Sequence, residues 1–312
     1  MSDTEAICQH DLERIRLNRG HRLLIKGGVP LNGKVSLSGA KNAALPILAA
    51  SIFVEGDYYL SNIPNLVDVR VMVRMLNALG IRAEFHHSNR VKISNHRTIK
   101  HIAPYELVTA MRASFFVAGP ILAKLGVARV PLPGGCAIGS RPLDLHFKGF
   151  RALGATINIE HGFVDFKANE LIGTRIYLDF PSVGATENIM MAACLAKGET
   201  IIENAAQEPE IEDLGNFLIQ SGAKISGHGS STITVEGVKS LSNTKDYHVI
   251  PDRVEAGTLI IAALMSKGEI EIQNSIPNHL EPVIRKLKES GAQLDINEHT
   301  IIAKGSSLKA VD

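Results

Sequence analysis

Residues 43–56 read AALPILAASIFVEG, an apolar run about three turns long that closes on a glycine. The same kind of segment returns three times: Arg112–Leu125 before Gly126, Gly184–Lys197 before Gly198, and Glu255–Lys267 before Gly268. The four glycines stand 70, 72 and 70 residues apart. A glycine just past an alanine-rich run is the expected helix stop, because it accepts left-handed backbone without a Cβ penalty. Near-equal intervals of this kind mark a repeated unit, and they decide the fold before any single motif is read.

Working outward, a second helix follows in each copy. Met72, Met75, Leu76 and Leu79, and again Leu280, Val283, Ile284 and Leu287, carry the stripe of a helix with one buried face. Leu143, Phe147 and Phe150 in copy two, and Leu214, Phe217 and Leu218 in copy three, give shorter versions. Each second helix ends at a glycine: Gly80, Gly154, Gly222 and Gly291. Between the helices a short strand is expected, at Tyr58–Leu60, Ala128–Pro131, Thr200–Glu203 and Ile270–Gln273. After them comes an alternating hairpin, clearest where Thr156–Glu160 and Phe163–Lys167 flank His161-Gly162, and where Gln293–Asn297 and Thr300–Ala303 flank Glu298-His299. With a strand before the first helix (Lys34–Leu37, Arg175–Leu178, Tyr247–Ile250), the unit is β-α-β-α-β-β and the fold class α+β. One such unit cannot bury both faces, so several must pack together.

Composition narrows the function. A chain of 312 residues suggests about two domains. Lys and Arg total 33 against 32 for Asp and Glu, so no electrostatic footprint for nucleic acid or an anionic membrane exists, and any anion recognition is local. Cys8, Cys136 and Cys194 cannot all pair and lack metal-ligand spacing, which points to a reduced, cytoplasmic protein with no metal. Residues 1–20 are a charged extension without the apolar core of a signal peptide. The apolar stretches are too short to span a bilayer.

Function is expected where the repeat is broken. From the first glycine to the second helix takes 10 residues in copy one (Gly56 to Leu66) and 12 in copies three and four (Gly198 to Glu210, Gly268 to Leu280). Copy two takes 16, from Gly126 to Pro142, and the excess lies in PLPGGCAIGSRP, residues 131–142. Its glycines and prolines exclude helix and strand, so Cys136 is on a loop, five residues from Arg141 and close to a helix start. That setting favours thiolate, suiting a nucleophile or a proton carrier. Cys194, inside an apolar helix, reads as a buried structural thiol. Three strand-to-helix junctions carry anion-binding chemistry. Ser38-Gly39-Ala40-Lys41-Asn42 opens the first helix, where free N–H groups favour an anion and Lys41 either adds its charge or is simply solvated. Ser182 either caps its helix or offers donors to a phosphate. Arg112 opposes the dipole of its own helix start, so it pairs with Glu106 or with an acidic ligand.

These residues together are specific. Ser38–Pro46 (SGAKNAALP), Met111–Ser114 (MRAS), the loop from Gly134 to His146 (GGCAIGSRPLDLH), Ser182–Thr186 (SVGAT) and Glu203–Ala206 (ENAA) resemble the UDP-N-acetylglucosamine 1-carboxyvinyltransferase family of enolpyruvyl transferases over residues 21–312. The sister enolpyruvylshikimate-phosphate synthases share that fold without the cysteine loop. The resemblance implies a two-domain inside-out α/β barrel, and transfer of enolpyruvyl from phosphoenolpyruvate to the 3-hydroxyl of the nucleotide sugar, with no cofactor. It assigns 41–250 to a first domain of three units, and 21–40 with 251–312 to a second. Lys41, Asn42 and Arg141 then correspond to phosphoenolpyruvate ligands. Arg112, Arg141, Pro142, Leu143, Asp144, Leu145, Phe180, Pro181, Ser182 and Val183 correspond to contacts of the nucleotide sugar. Cys136 corresponds to the mobile-loop cysteine that donates a proton to the methylene and can form an adduct. The family pattern has six units, whereas four are found here, and the chain stops at Asp312 ahead of the family's aspartate base. The expectations that follow are a partial second domain, an apolar stripe exposed on copy four, and no turnover by these residues alone. The alternative is a binding pseudoenzyme or inactive fragment.

Overall fold

The computed structural model of the chain describes residues 24, 26–86, 89–96, 98–133, 143–243 and 245–311. Copy one runs β1 (Gly33–Ser36), α1 (Lys41–Ala50), β2 (Val54–Ser61), α2 (Val67–Leu79), β3 (Arg82–His86) and β4 (Arg90–Asn95). Copy two has α3 (Tyr105–Ala110), a 3-10 segment at Arg112–Val117, α4 (Ala118–Leu125), β5 (Val127–Pro131), α5 (Asp144–Ala152), β6 (Thr156–Glu160) and β7 (Phe163–Lys167). Copy three is β8 (Arg175–Tyr177), α6 (Val183–Ala193), β9 (Glu199–Glu203), α7 (Pro209–Gln220), β10 (Lys224–Ser226) and β11 (Thr232–Glu236). Short strands β12 (Leu241–Ser242) and β13 (Tyr247–His248) lead to copy four: α8 (Arg253–Ser266), β14 (Glu269–Gln273), a 3-10 turn at Pro277–Leu280, α9 (Glu281–Glu289), β15 (Gln293–Ile296) and β16 (Thr300–Lys304).

The expected unit is complete in copies one, three and four, while in copy two an isolated bridge between Ile102 and Arg129 stands in place of the first strand among the described residues. The glycines after the second helices, Gly80, Gly154, Gly222 and Gly291, all take positive φ. The turn at His161-Gly162 has positive φ at both residues, matching the twist of a two-residue hairpin. The first helix of copy one is shorter than the apolar run predicts: α1 stops at Ala50, and Gly56 lies inside β2. The run Arg112–Leu125 is not one helix either. Met111 is extended, with φ −145° and ψ 127°, and regular α-helix starts only at Ala118. The Ser114 hydroxyl donates to the carbonyls of Val108 and Met111, an alternative to helical bonding that holds the break.

Each sheet has one plan: the strand between the helices pairs antiparallel with the second strand of its hairpin, and in copies one, three and four it pairs in parallel with a first strand. In copies one and four those first strands are exchanged. β1, which precedes α1, pairs with β14 of copy four, and β13, which precedes α8, pairs with β2 of copy one. The chain therefore crosses twice, at residues 36–41 and 248–253. The crossings run antiparallel, tied by Ala40 N to Ile250 O at 2.8 Å, Asp252 N to Ser38 O at 2.9 Å, and a bridge between Gly39 and Pro251. Gly39 admits no side chain, since a Cβ there would stand 1.6 Å from the Asn62 carbonyl oxygen.

Two hydrophobic cores result. The larger gathers residues from Ala40 to Val249, and the smaller gathers Leu37 with residues from Ala256 to Ala303. At the centre of the larger core, α6 is buried at every residue from Ala185 to Ala193, including the polar Thr186, Glu187 and Asn188. Its one amide, Asn188, is satisfied: it accepts from Gly119 N at 2.8 Å, donates to Phe115 O at 3.0 Å, and lies 3.2 Å from His146 Nδ1. In the smaller core only one face of α8 is covered. Val254, Ile261 and Met265 are 56%, 43% and 76% exposed, whereas the stripe expected to be exposed on the second helix of copy four is largely covered, with Leu280 and Ile284 buried in the smaller core. No helix of the described residues is long and apolar enough to cross a membrane.

Candidate functional site

The first junction is built from both crossings. α1 has no side-chain cap of its own. Its Lys41 amide instead donates to Asp252 Oδ2 at 3.3 Å. Asp252 is at the same time the N-cap of α8, accepting through Oδ1 from Val254 N at 2.8 Å and Glu255 N at 3.1 Å. One carboxylate thus serves the positive ends of two helices from different cores, which draws those ends together. Glu255 reinforces the contact, accepting from Ser38 N at 2.9 Å and from Ser38 Oγ at 2.6 Å. The Lys41 ammonium, 40% exposed, lies 3.1 Å from Asp68, and Asn42 beside it is exposed.

A second junction lies at the start of α6. Ser182 caps the helix, accepting from Ala185 N at 3.4 Å, which is the structural alternative weighed for this residue. A Cβ on Gly184 would meet Phe116 at 3.4 Å and His146 at 3.5 Å. Ser182–Gly184 therefore abuts the 3-10 segment that Arg112 opens and the first turn of α5, where Leu143 and Leu145 are half-buried and Asp144 is exposed. Phe180 is 67% exposed beside exposed Pro181, a flat apolar surface at the rim, and Val183 is half-buried. Cys136, Arg141 and Pro142 lie outside the described residues, as does the side chain of Arg112, so the pairing of Arg112 with Glu106 is not tested. Cys194 is buried, its thiol pushed up to about 12 by loss of water, which makes it inert as the sequence reading expects.

The two junctions are linked through α7. Thr186 of α6 accepts from Ala206 N at 3.1 Å. Four residues later, Glu210 on α7 is buried and receives the guanidinium of Arg253 from α8, with Nε at 3.0 and 3.3 Å and Nη2 at 3.2 Å. Behind it Glu187 is fully buried, and neither carboxyl oxygen has a hydrogen-bond partner among the described residues. Burial, then the charges of Glu210 and Glu208, hold its carboxyl well above the ordinary range. Sequence reasoning missed Asp252, Glu255, Glu210 and Arg253. An N-cap signal at Asp252, just before an apolar run, was there to be read. The Arg253–Glu210 pair carries no local signal, because its partners are 43 residues apart.

A second feature also escapes a reading of single copies. Asn62, Asn204 and Asn274 sit six residues after Gly56, Gly198 and Gly268, and all take positive φ. Their amides donate to Val249 O at 2.9 Å, Leu178 O at 2.7 Å and Leu37 O at 3.4 Å, locking each central strand to its first strand. The same position in copy two is Leu132, at the mouth of the long loop. The copy that carries the cysteine has given up that lock.

Comparison with known proteins agrees with this architecture. A family model, EPSP synthase (3-phosphoshikimate 1-carboxyvinyltransferase), matches residues 25–312. Among solved structures, the enolpyruvyl transferase NikO from Streptomyces tendae superposes with a TM-score of 0.81 at 23% identity, over 91% of this chain and 68% of that one. EPSP synthase from Acinetobacter baumannii superposes at 0.71 and 21%, over 92% and 68%. The fold is thus that of the enolpyruvyl transferases. Curated relatives are much closer in sequence. The UDP-N-acetylglucosamine 1-carboxyvinyltransferase of Gloeobacter violaceus is 53% identical over 88% of this chain and 60% of its own length. The enzyme named UDP-N-acetylglucosamine 1-carboxyvinyltransferase 2 of Carboxydothermus hydrogenoformans is 51% identical over 93% and 70%. The chain spans between 60% and 70% of the length of these two relatives. With the repeat, the exchanged strands and this identity in agreement, the chain belongs to the EPSP synthase family of enolpyruvyl transferases, among the UDP-N-acetylglucosamine 1-carboxyvinyltransferases.

Proposed function

We propose that this chain supplies the nucleotide-sugar site and the phosphoenolpyruvate junction of an enzyme that moves enolpyruvyl to the 3-hydroxyl of UDP-N-acetylglucosamine and releases phosphate. In a bacterium that step opens peptidoglycan synthesis in the cytoplasm. The observation that carries the reading is identity of 51% over 93% of the chain with a protein named for this transfer.

The chemistry fits the residue types. Addition of the sugar hydroxyl to the enol phosphate carbon needs a proton at the methylene, cations for phosphate and carboxylate, and a base for the hydroxyl. Cys136 supplies the proton, and Lys41 and Arg141 face the two anionic groups, with Asn42 beside them. The addition forms a C–O bond and a methyl group. Loss of a methyl proton and of phosphate then restores the double bond. Arg112, Leu143–Leu145 and Phe180–Val183 hold the nucleotide sugar, with the exposed Phe180 ring as an apolar surface at the rim. Residues 41–250 form the first domain, and 21–40 with 251–312 belong to the second.

The test is calorimetric titration with UDP-N-acetylglucosamine, followed by phosphoenolpyruvate and a phosphate-release assay. Binding of the nucleotide sugar, weakened by Arg112→Ala, is expected. Binding without release marks these residues as the substrate-holding part only, and absence of binding overturns the reading.

A further inference from the structure

The face of α7 that carries Glu210 also carries Asp213, one turn on, and both side chains grip the second crossing. Asp213 is buried, at 3% exposure. Its Oδ1 accepts from the Tyr247 hydroxyl at 2.7 Å, and its backbone oxygen accepts from the same hydroxyl at 2.8 Å. Its Oδ2 accepts from Ile250 N at 3.3 Å. The Tyr247 ring is fixed in turn by edge contact with Phe217, at 5.2 Å between centroids. Residues 249–252 belong to no regular strand, so side chains and the opposite crossing decide where they stand. Ile250 receives Ala40 N through its oxygen, and two residues later Asp252 meets the amide of Lys41.

We infer that Asp213 is a positioning residue: by holding Ile250 it sets where Asp252 stands against α1, and so tunes how the Lys41 junction accepts a small phosphorylated carboxylate. The inference rests on the reading of that junction as the phosphoenolpyruvate site. Asp213 touches no reacting atom. It acts through three residues of backbone, whose displacement moves the carboxylate that anchors two helix ends.

The groups around Asp213 make the hold dependent on pH. Burial pushes its carboxyl up to about 6, against the hydrogen bonds from Tyr247 and Ile250, with Glu210 and Glu212 of α7 adding like charge. Beyond them Arg253 neutralises Glu210, and His279, from the 3-10 turn before α9, is coupled to Glu210 and Glu212. Above that value the carboxylate accepts from both donors. Below it one oxygen becomes a hydroxyl, and the bond from Ile250 or from Tyr247 weakens. Asparagine separates charge from position. Its oxygen can accept from Ile250 N while its amide donates to the Tyr247 oxygen, and the Tyr247 proton stays on the Asp213 backbone carbonyl.

The experiment measures affinity for UDP-N-acetylglucosamine alone, then for phosphoenolpyruvate with the sugar saturating, in the 312-residue chain and in Asp213→Ala, Asp213→Asn and Tyr247→Phe. Each is done across about pH 5 to 8, with amide exchange followed over 38–42 and 247–253. Asp213→Ala is expected to weaken phosphoenolpyruvate about tenfold, to change the sugar nucleotide less than about twofold, and to speed exchange at both crossings. Asp213→Asn keeps the affinity near neutral pH and loses the step near pH 6 that the parent shows in the protection of the Ile250 amide without ligand, corrected for intrinsic exchange. Equal weakening of both ligands, unchanged exchange, or a protection step that survives in Asp213→Asn overturns the inference. Should Asp213→Ala fail to fold, Tyr247→Phe must show the same split in smaller measure, and an unchanged Tyr247→Phe overturns it. If the parent binds neither ligand, the site reading falls, and exchange in the variants still decides whether Asp213 holds the crossing.

Discussion

Lys41 and Asp252 are 211 positions apart in sequence, yet the amide of one donates to the carboxylate of the other where two helices begin. That contact joins the two cores of the molecule at the residue expected to meet the substrate. Substitution of Asp252 by alanine removes the cap of α8 and the acceptor of the Lys41 amide together. A loss of about 1–2 kcal/mol is expected from the cap alone, read from urea unfolding of both proteins. Asp252→Asn, which can still cap, is expected to recover most of it. An alanine variant as stable as the parent would show that water replaces both contacts.

Gly39 predicts a sharper effect. A methyl group at that residue overlaps the Asn62 carbonyl oxygen at 1.6 Å, so the crossing must move. Gly39→Ala is expected to destabilise by at least about 2 kcal/mol and to accelerate exchange at Ala40 and Asp252. Retention of the parental melting temperature would mean that the crossing is plastic.

The Arg253–Glu210 pair spans the two cores with its carboxylate side chain 4% exposed. Arg253→Ala strands that charge in a buried setting, and a cost of roughly 3–5 kcal/mol is expected. Adding Glu210→Gln to the same chain should restore more than half of it. A double-mutant cycle reports the coupling directly, and additive effects would remove the pair from the interface.

Glu187 makes stability depend on pH. The folded protein retains a proton that the unfolded chain releases above its ordinary value of 4.5. The stability this contributes is complete below that value and is lost as pH rises toward the folded value, by up to about 1.4 kcal/mol per pH unit. Glu187→Gln removes the dependence. Its urea midpoint is expected to lie close to the parent's in acid and above it at alkaline pH, and parallel profiles would show that Glu187 is ionised in the fold.

Thiol chemistry separates Cys136 from Cys194. Cys194 is expected to resist alkylation until the protein unfolds, since its thiol is buried and pushed up to about 12. Cys136 is expected to react in the native state, and Cys136→Ala to abolish modification by a small phosphonate epoxide. Peptide masses after timed labelling distinguish the two sites.

Periodicity in the chain was enough to find the repeat, because helix stripes, hairpin alternation and terminal glycines are local properties that each copy states for itself. The break in that periodicity was enough to single out the loop of Cys136, and the family motifs were enough to assign the chemistry. Local patterns could not give the break at Met111, where the Ser114 hydroxyl competes with helical bonding. Nor could they show that β1 and β13 change places, since strand pairing is a choice among partners far apart in sequence. That exchange creates both crossings, and with them the meeting of Lys41, Asp252, Arg253 and Glu210. Sequence by itself therefore determined the unit and the family. Only the tertiary structure decided which buried carboxylates hold the junction, because the worth of a charge depends on what surrounds it after folding.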